Sequence, residues 1–259
     1  MTDDDRVPVD PPDERVEDEL PAEIEALVAQ VEGVVPEPAV PIRRGMLDRE
    51  ERLIKDGILR MGSQVVDAIR AASDALERHD IEAATQVIKD DPFINELQRH
   101  VSGLILVTIA TQQPVARDLR YLLTLDHVAS ELERMGDHAG SVAKQARHLA
   151  PEPPLQRNMH LAEMASLAAD NLHAVLRALV DADPDQARRV ARRDDDLDVL
   201  WHRTWDEVAV LMRESPDNVD RGMRIMLAAH YIERIGDRTT NIAEDVVYLA
   251  TGEIEDLNP

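Results

Sequence analysis

Residues 132–142, Leu132-Glu133-Arg134-Met135-Gly136-Asp137-His138-Ala139-Gly140-Ser141-Val142, return a hundred positions later as Ile232-Glu233-Arg234-Ile235-Gly236-Asp237-Arg238-Thr239-Thr240-Asn241-Ile242. Their apolar positions are three and four apart, which is the buried stripe of an amphipathic helix. The stripe continues on both sides. Leu125, Val128, Leu132, Met135, Ala139, Val142, Ala146 and Leu149 become Ile225, Ala228, Ile232, Ile235, Thr239, Ile242, Val246 and Leu249 at the same offset. The shared kernel Glu-Arg-x-Gly-Asp works against the helix that carries it. A mid-helix glycine costs about 1 kcal/mol relative to alanine, and like charges four residues apart repel by roughly 0.2 to 0.5 kcal/mol. A feature that is unfavourable twice, at one register, implies a compensating contact or ligand.

Outward from this kernel, nearly everything after Met46 reads as helix. Ile54, Ile58, Met61, Val65, Ala68, Ala72 and Leu76 form another seam. Breaks at His79-Asp80, Gln113-Pro114, Pro151-Glu152-Pro153-Pro154, Asp183-Pro184 and Ser215-Pro216-Asp217 leave six long segments, several opened by an acidic or hydroxyl cap before proline. The second and fifth segments also correspond, at an offset of 103: Val87, Asp91, Ile94, Asn95 and Leu97 match Val190, Asp194, Leu197, Asp198 and Leu200. With aromatic residues at 2% and little β-branched alternation, strands have little to be made from. The expected fold is all-α: an internal duplication giving two tandem three-helix bundles at 45–150 and 151–252, with a short tail at 253–259. Residues 1–44 hold seven prolines and 13 acidic against 4 basic residues, a net of −9. They are expected to form a disordered, solvated acidic leader.

Composition removes several functional classes. The 259-residue chain has no cysteine, so disulfides, thiolate metal sites and cysteine nucleophiles are excluded. A formal charge of −23 and the lack of a basic stripe with interleaved aromatics argue against nucleic acid. The acidic opening and the absence of a long apolar run imply neither export nor membrane insertion, hence a cytoplasmic protein. No phosphate-binding loop, dinucleotide turn or nucleophile elbow is present.

Helical geometry places Glu133 and Asp137 on one stripe with Ser130 and Ser141, opposite the seam. The second stripe carries His230, Glu233, Asp237, Asn241 and Glu244. Asp91 and Asn95, like Asp194 and Asp198, repeat the four-residue spacing on the neighbouring helix. Two such helices side by side would converge oxygen ligands suited to iron, manganese, magnesium or calcium, and less exclusively to zinc. The alternative is a plain solvated acidic face. Gly136, Gly140 and Gly236 would allow a neighbouring helix or partner to approach closely. Pro92 either kinks a continuous helix or follows Asp91 acting as the cap of a new one; alignment with Arg193-Asp194-Asp195-Asp196, read as uninterrupted, favours the kink. The run Arg188-Arg189, Arg192-Arg193 reads as a salt-bridged face, Trp201 and Trp205 as helix packing. Asp126-His127 and Asp137-His138 diverge too far around a helix to form acid–base dyads.

Over about residues 46–252 the chain resembles the PhoU family, regulators associated with bacterial phosphate uptake. The resemblance rests on the two Glu-Arg-x-Gly-Asp motifs, on Val87 through Asn95 and Val190 through Asp198, and on Gln113-Pro114-Val115-Ala116-Arg117-Asp118-Leu119-Arg120. It implies multinuclear metal sites on the bundle surface. One would use Glu133, Asp137, Asp91 and Asn95, the other Glu233, Asp237, Asn241, Asp194 and Asp198, the metal being iron, zinc, manganese or magnesium. It further implies a non-enzymatic, homodimeric regulator linking a phosphate ABC transporter ATPase to a sensor histidine kinase. Departures from the family pattern are Ser141, Pro92 and the acidic leader. A carboxylate-bridged metal enzyme and a metal-free scaffold docking basic partners are the alternatives. No histidine here has the Glu-x-x-His spacing of di-iron bundles.

Overall fold

A chain rich in three-four apolar spacing and poor in strand formers has one economical solution: helices that share their stripes. The computed structural model describes residues 41–153 and 159–258. The expected leader therefore lies outside the described residues, apart from Pro41 to Arg44, which already belong to the first helix. The helices are α1 (Pro41–Arg78), α2 (Ile81–Gln112), α3 (Arg117–Leu149), α4 (Leu161–Asp181), α5 (Pro184–Ala191), α6 (Asp194–Glu214) and α7 (Asn218–Thr251). There is no strand among the described residues.

All five expected breaks are present. Asp80 opens α2 by accepting from the backbone N–H groups of Glu82 and Ala83, both at 2.9 Å, and Asp183 opens α5 by accepting from Gln186 N–H. In the first repeat α1, α2 and α3 pack on one another; in the second, α4, α5 and α6 pack around α7. Contacts of α3 with α7 and of α1 with α4 join the repeats, and one large apolar core runs through both, beside a smaller cluster of Leu149, Met159, Val208, Leu211 and Ile225. The expected seams supply the spine of the large core: Ile54, Ile58, Met61 and Val65 of α1, Leu125, Val128, Leu132, Met135 and Ala139 of α3, and Ile235 and Ile242 of α7 are fully buried. The last residues are also anchored. Leu257 packs against the core, its N–H donates to Glu244, and Glu255 pairs with Arg188. Arg189 faces Asp183, so the first two arginines of the run, Arg188 and Arg189, are ion-paired.

Of two local expectations, the continuous helix favoured at Pro92 is present and the uninterrupted stretch of the second repeat is corrected. Pro92 lies inside the continuous α2 and Asp91 caps nothing; proline removes one N–H but leaves the helix running. The equivalent stretch in the second repeat, read as uninterrupted, is where the helix breaks. Helix α5 stops at Ala191, Arg192-Arg193 make a turn, and α6 starts at Asp194. Three carboxylates, Asp194, Asp195 and Asp196, then occupy the first turn, where the positive end of the helix dipole favours them. Trp201 packs on the core as expected, with its ring 5.7 Å from that of Trp205, but Trp205 itself is 53% exposed.

Candidate functional site

The glycines explain the kernel. A Cβ on Gly236 would stand 2.4 Å from Leu197 Cδ2 and 2.5 Å from Asp194 Oδ1. Gly136 meets the equivalent residue of its own repeat, Ile94, with a Cβ at 3.0 and 3.2 Å from its side-chain carbons. Gly140 lies under Asp91, whose carboxyl would be 3.8 Å from an added Cβ. In both repeats the second-segment helix rides on the glycine of the kernel helix. That close approach carries the aspartate of one helix to the Glu-x-x-x-Asp stripe of the other. The glycine penalty is thus offset by helix packing.

In the first repeat, Asp91, Glu133 and Asp137 share one neighbourhood. Burial raises the Asp91 pKa, the Asp137 charge raises it further, and Lys144 opposes. Burial also raises Glu133, with Asp137 and Asp91 adding to it and Arg134 opposing. Asp91 Oδ1 and, one helical turn on, Asn95 Oδ1 are buried without a hydrogen-bond partner, an arrangement that is costly unless another group supplies the missing contact. Ser141 contributes little, because its hydroxyl donates to the Asp137 backbone carbonyl at 2.9 Å.

The second repeat is deeper. Asp194 is buried, and its pKa is pushed up to about 7 by desolvation first, then by Asp198, Asp237 and Glu233, against a hydrogen bond from Thr240 Oγ1 at 3.4 Å. Glu233 is likewise raised to about 7 by burial, Asp237 and Asp198. Its Oε2 stands 3.2 Å from His230 Nδ1 yet accepts no well-formed hydrogen bond. Asp198 is the most open of the four carboxylates; partial desolvation and then the Asp237 charge raise its pKa, while His202 lowers it. Arg234 NH1 donates to Asp237 Oδ2 at 2.9 Å. Asn241 Nδ2 donates to Glu131 Oε2 at 3.0 Å. Glu244 is drawn to the C-terminal segment instead.

The structure therefore gathers Asp91, Glu133 and Asp137 in one cluster and Asp194, Asp198, Glu233 and Asp237 in the other. Asn95 adjoins the first, Asn241 the second. Among the described residues, no three His, Asp or Glu side chains are arranged to hold an ion as they stand. The donor chemistry nevertheless fits a hard cation. The candidate donors are oxygens, three of them buried without a hydrogen bond, among carboxylates that repel one another when ionised.

Sequence reasoning missed the polar seam between the repeats. Glu131, only 2% exposed, meets Arg238, Asn241, Arg134 and His127. The signal was available: Glu131 lies three residues after Val128 and four before Met135, a charge at a core-facing position. His127 pairs with Asp245 across the seam at 2.7 Å, and Asp126 accepts from Ser102, so Asp126 and His127 each pair elsewhere and form no dyad with one another.

A family model for the PhoU domain matches residues 58–146 and again 161–246. These two stretches fall in the two repeats. The phosphate-specific transport system accessory protein PhoU homolog of Clostridium acetobutylicum is 37% identical over 202 residues, 78% of this chain and 92% of its own. The homolog of the same name from Aquifex aeolicus is 34% identical over 80% of this chain and 94% of its own. The crystal structure of PhoU from Pseudomonas aeruginosa superposes with a TM-score of 0.76 at 31% identity, over 80% of this chain and 99% of that one. The phosphate transport system regulatory protein PhoU from Streptococcus pneumoniae gives 0.75 at 29% identity, over 81% and 99%.

Proposed function

The chain belongs to the PhoU family, and from that membership we propose that it is a cytoplasmic negative regulator of phosphate uptake and phosphate-starvation signalling. In this reading it joins the ATPase of a phosphate ABC transporter to a sensor histidine kinase and carries carboxylate cation sites on both Glu-Arg-x-Gly-Asp stripes. The observation that carries the regulatory part is the pair of family matches, one per repeat, together with relatives named as accessory proteins of phosphate transport. No described helix is long and apolar enough to cross a membrane, which suits a protein that meets the transporter from one side. Exposed Leu106 and Val107 on α2 offer apolar surface for two copies to pair.

Asp91, Asn95, Glu133 and Asp137 would hold cations in the first repeat, and Asp194, Asp198, Glu233, Asp237 and Asn241 in the second. Iron, manganese, magnesium or zinc would neutralise the converged carboxylates. What the chain itself supplies is pre-organisation: the glycine crossings fix the aspartates of α2 and α6, Arg234 holds Asp237, and burial leaves Asp91 Oδ1, Asn95 Oδ1 and Glu233 Oε2 without another hydrogen-bond partner. The interaction surface seen by the transporter and the kinase then depends on the charge of these stripes. Turnover is not part of this mechanism.

Two measurements test it. Metal content of untagged protein is expected to be stoichiometric by mass spectrometry and to fall in Glu233→Ala/Asp237→Ala; equal, near-zero metal in both ends the cation claim. Deleting the gene is expected to switch on phosphate-starvation genes in phosphate-rich medium, and unchanged expression would contradict the regulatory role.

A further inference from the structure

A carboxylate that is 2% exposed needs partners, and Glu131 takes them from both repeats. Arg238 NH1 stands 3.5 and 3.4 Å from its two oxygens, Asn241 Nδ2 donates at 3.0 Å, and Arg134 NH1 stands at 3.6 Å from Oε1. His127 Nε2 completes the surround at 3.8 Å. Arg134 is the arginine of the first kernel. Arg238 directly follows Asp237, and Asn241 is the next residue along the second stripe. Glu131 is thus a first-repeat residue whose contacts reach into the second stripe.

The duplication makes this contact lopsided. At the hundred-residue offset, Glu131 corresponds to Tyr231 and Arg238 to His138. The corresponding positions do meet across the seam, but as rings: His138 and Tyr231 are stacked with centroids 5.9 Å apart. The amide position differs too, since Ser141, the counterpart of Asn241, bonds back to its own helix. Only the second stripe has its side-chain amide anchored by a residue of the other repeat. A carboxylate accepts and does not donate, so Glu131 fixes which end of the Asn241 amide faces it. The nitrogen is committed, and Oδ1 is the atom left for a cation.

We propose that Glu131 is a positioning residue for the second cation site, orienting Asn241 although it binds no cation itself. The inference rests on the cation reading above. Outer residues that orient ligands change metal affinity by roughly ten- to a hundredfold when removed, which makes the contact measurable.

The test uses full-length Glu133→Gln/Asp137→Asn protein, in which only the second site remains, titrated with Mn2+ and followed by electron paramagnetic resonance. Adding Glu131→Leu, which removes the acceptor of Asn241 Nδ2, is expected to weaken Mn2+ binding roughly tenfold. Circular dichroism in EDTA is expected to show the helical content of the parent, so that the loss is read on a folded protein. A second variant, Glu131→Gln/Asn241→Asp, exchanges donor and acceptor, so that the glutamine amide donates to the new carboxylate; binding is expected to recover to the parent level or above. Affinity within twofold of the parent for Glu131→Leu overturns the inference, as does a donor–acceptor swap that stays as weak as Glu131→Leu. Failure of the wild-type protein to bind Mn2+, iron or zinc at all removes the cation reading and this inference together, a result distinguishable from the other two.

Discussion

Saturating Mn2+ should raise the melting temperature of the metal-free protein by roughly 5 to 10 °C at pH 8, and by much less at pH 5.5. A cation at a hundred times its dissociation constant stabilises the state that binds it by about 2.7 kcal/mol, and in a body of this size 1 kcal/mol moves the melting point by roughly 2 to 4 °C. The pH dependence comes from the carboxylates. Asp194 and Glu233 are raised to about 7, and Asp91, Glu133 and Asp198 are raised as well. Each folded-state carboxyl therefore keeps its proton to higher pH than it does in the unfolded chain. Between the ordinary carboxylate range and about pH 7 the native state binds more protons, so without metal its stability falls as pH rises through that window. Cations replace the protons, and their binding releases protons. Differential scanning fluorimetry across pH, with EDTA or Mn2+, checks both slopes. A metal-free protein equally stable at pH 5.5 and pH 8, with no response to any divalent cation, would show that the two clusters are solvated acidic surface.

How much of this could be read from the sequence differs by element. The helices could be, because each seam is long and periodic and each break is marked by proline or a cap. Leu132, Met135 and Ala139 were placed in the core by spacing alone, and they are fully buried. The pairing of Asp91 with Glu133 and Asp137, and of Asp194 with Glu233 and Asp237, was legible because the duplication repeats the carboxylates along with the core positions. Helix continuity was legible at one of the two places that matter. At Pro92 the match to the second repeat favoured a continuous helix, and the helix does run on through the proline; Arg192-Arg193 break no rule, yet the helix ends there and restarts with Asp194 in its first turn. In that arrangement Asp194 lies against Gly236 on the adjacent helix, a contact no intrahelical preference encodes. The seam around Glu131 stayed hidden for a related reason. Its partners Arg238 and Asn241 are 107 and 110 residues away, and only the approach of α3 to α7 brings them together.

Substituting the two kernel glycines should separate packing from propensity. Alanine gains about 1 kcal/mol over glycine inside a helix, so each substitution begins with a credit. At Gly136 the opposing contact is modest: the new Cβ would meet Ile94 at 3.0 and 3.2 Å, and small shifts of a flexible side chain relieve it. Gly136→Ala is expected to leave stability within about 1 kcal/mol of wild type. At Gly236 the Cβ would stand 2.4 Å from Leu197 and 2.5 Å from Asp194, and both are buried. Asp194 is further held by Thr240 and by its place in the first turn of α6. Overpacking of this kind costs about 1 to 3 kcal/mol, which outweighs the propensity gain only if α6 moves away from α7. That movement carries Asp194 off the Glu233–Asp237 stripe, so Gly236→Ala should weaken cation binding at the second site by roughly ten- to a hundredfold and lower the melting temperature even in EDTA. Mn2+ titration and thermal melts of the two variants, side by side, give the comparison. A Gly236→Ala protein that melts at or above the wild-type temperature and binds Mn2+ equally well would mean that the glycine is not what brings the two helices, and their carboxylates, together.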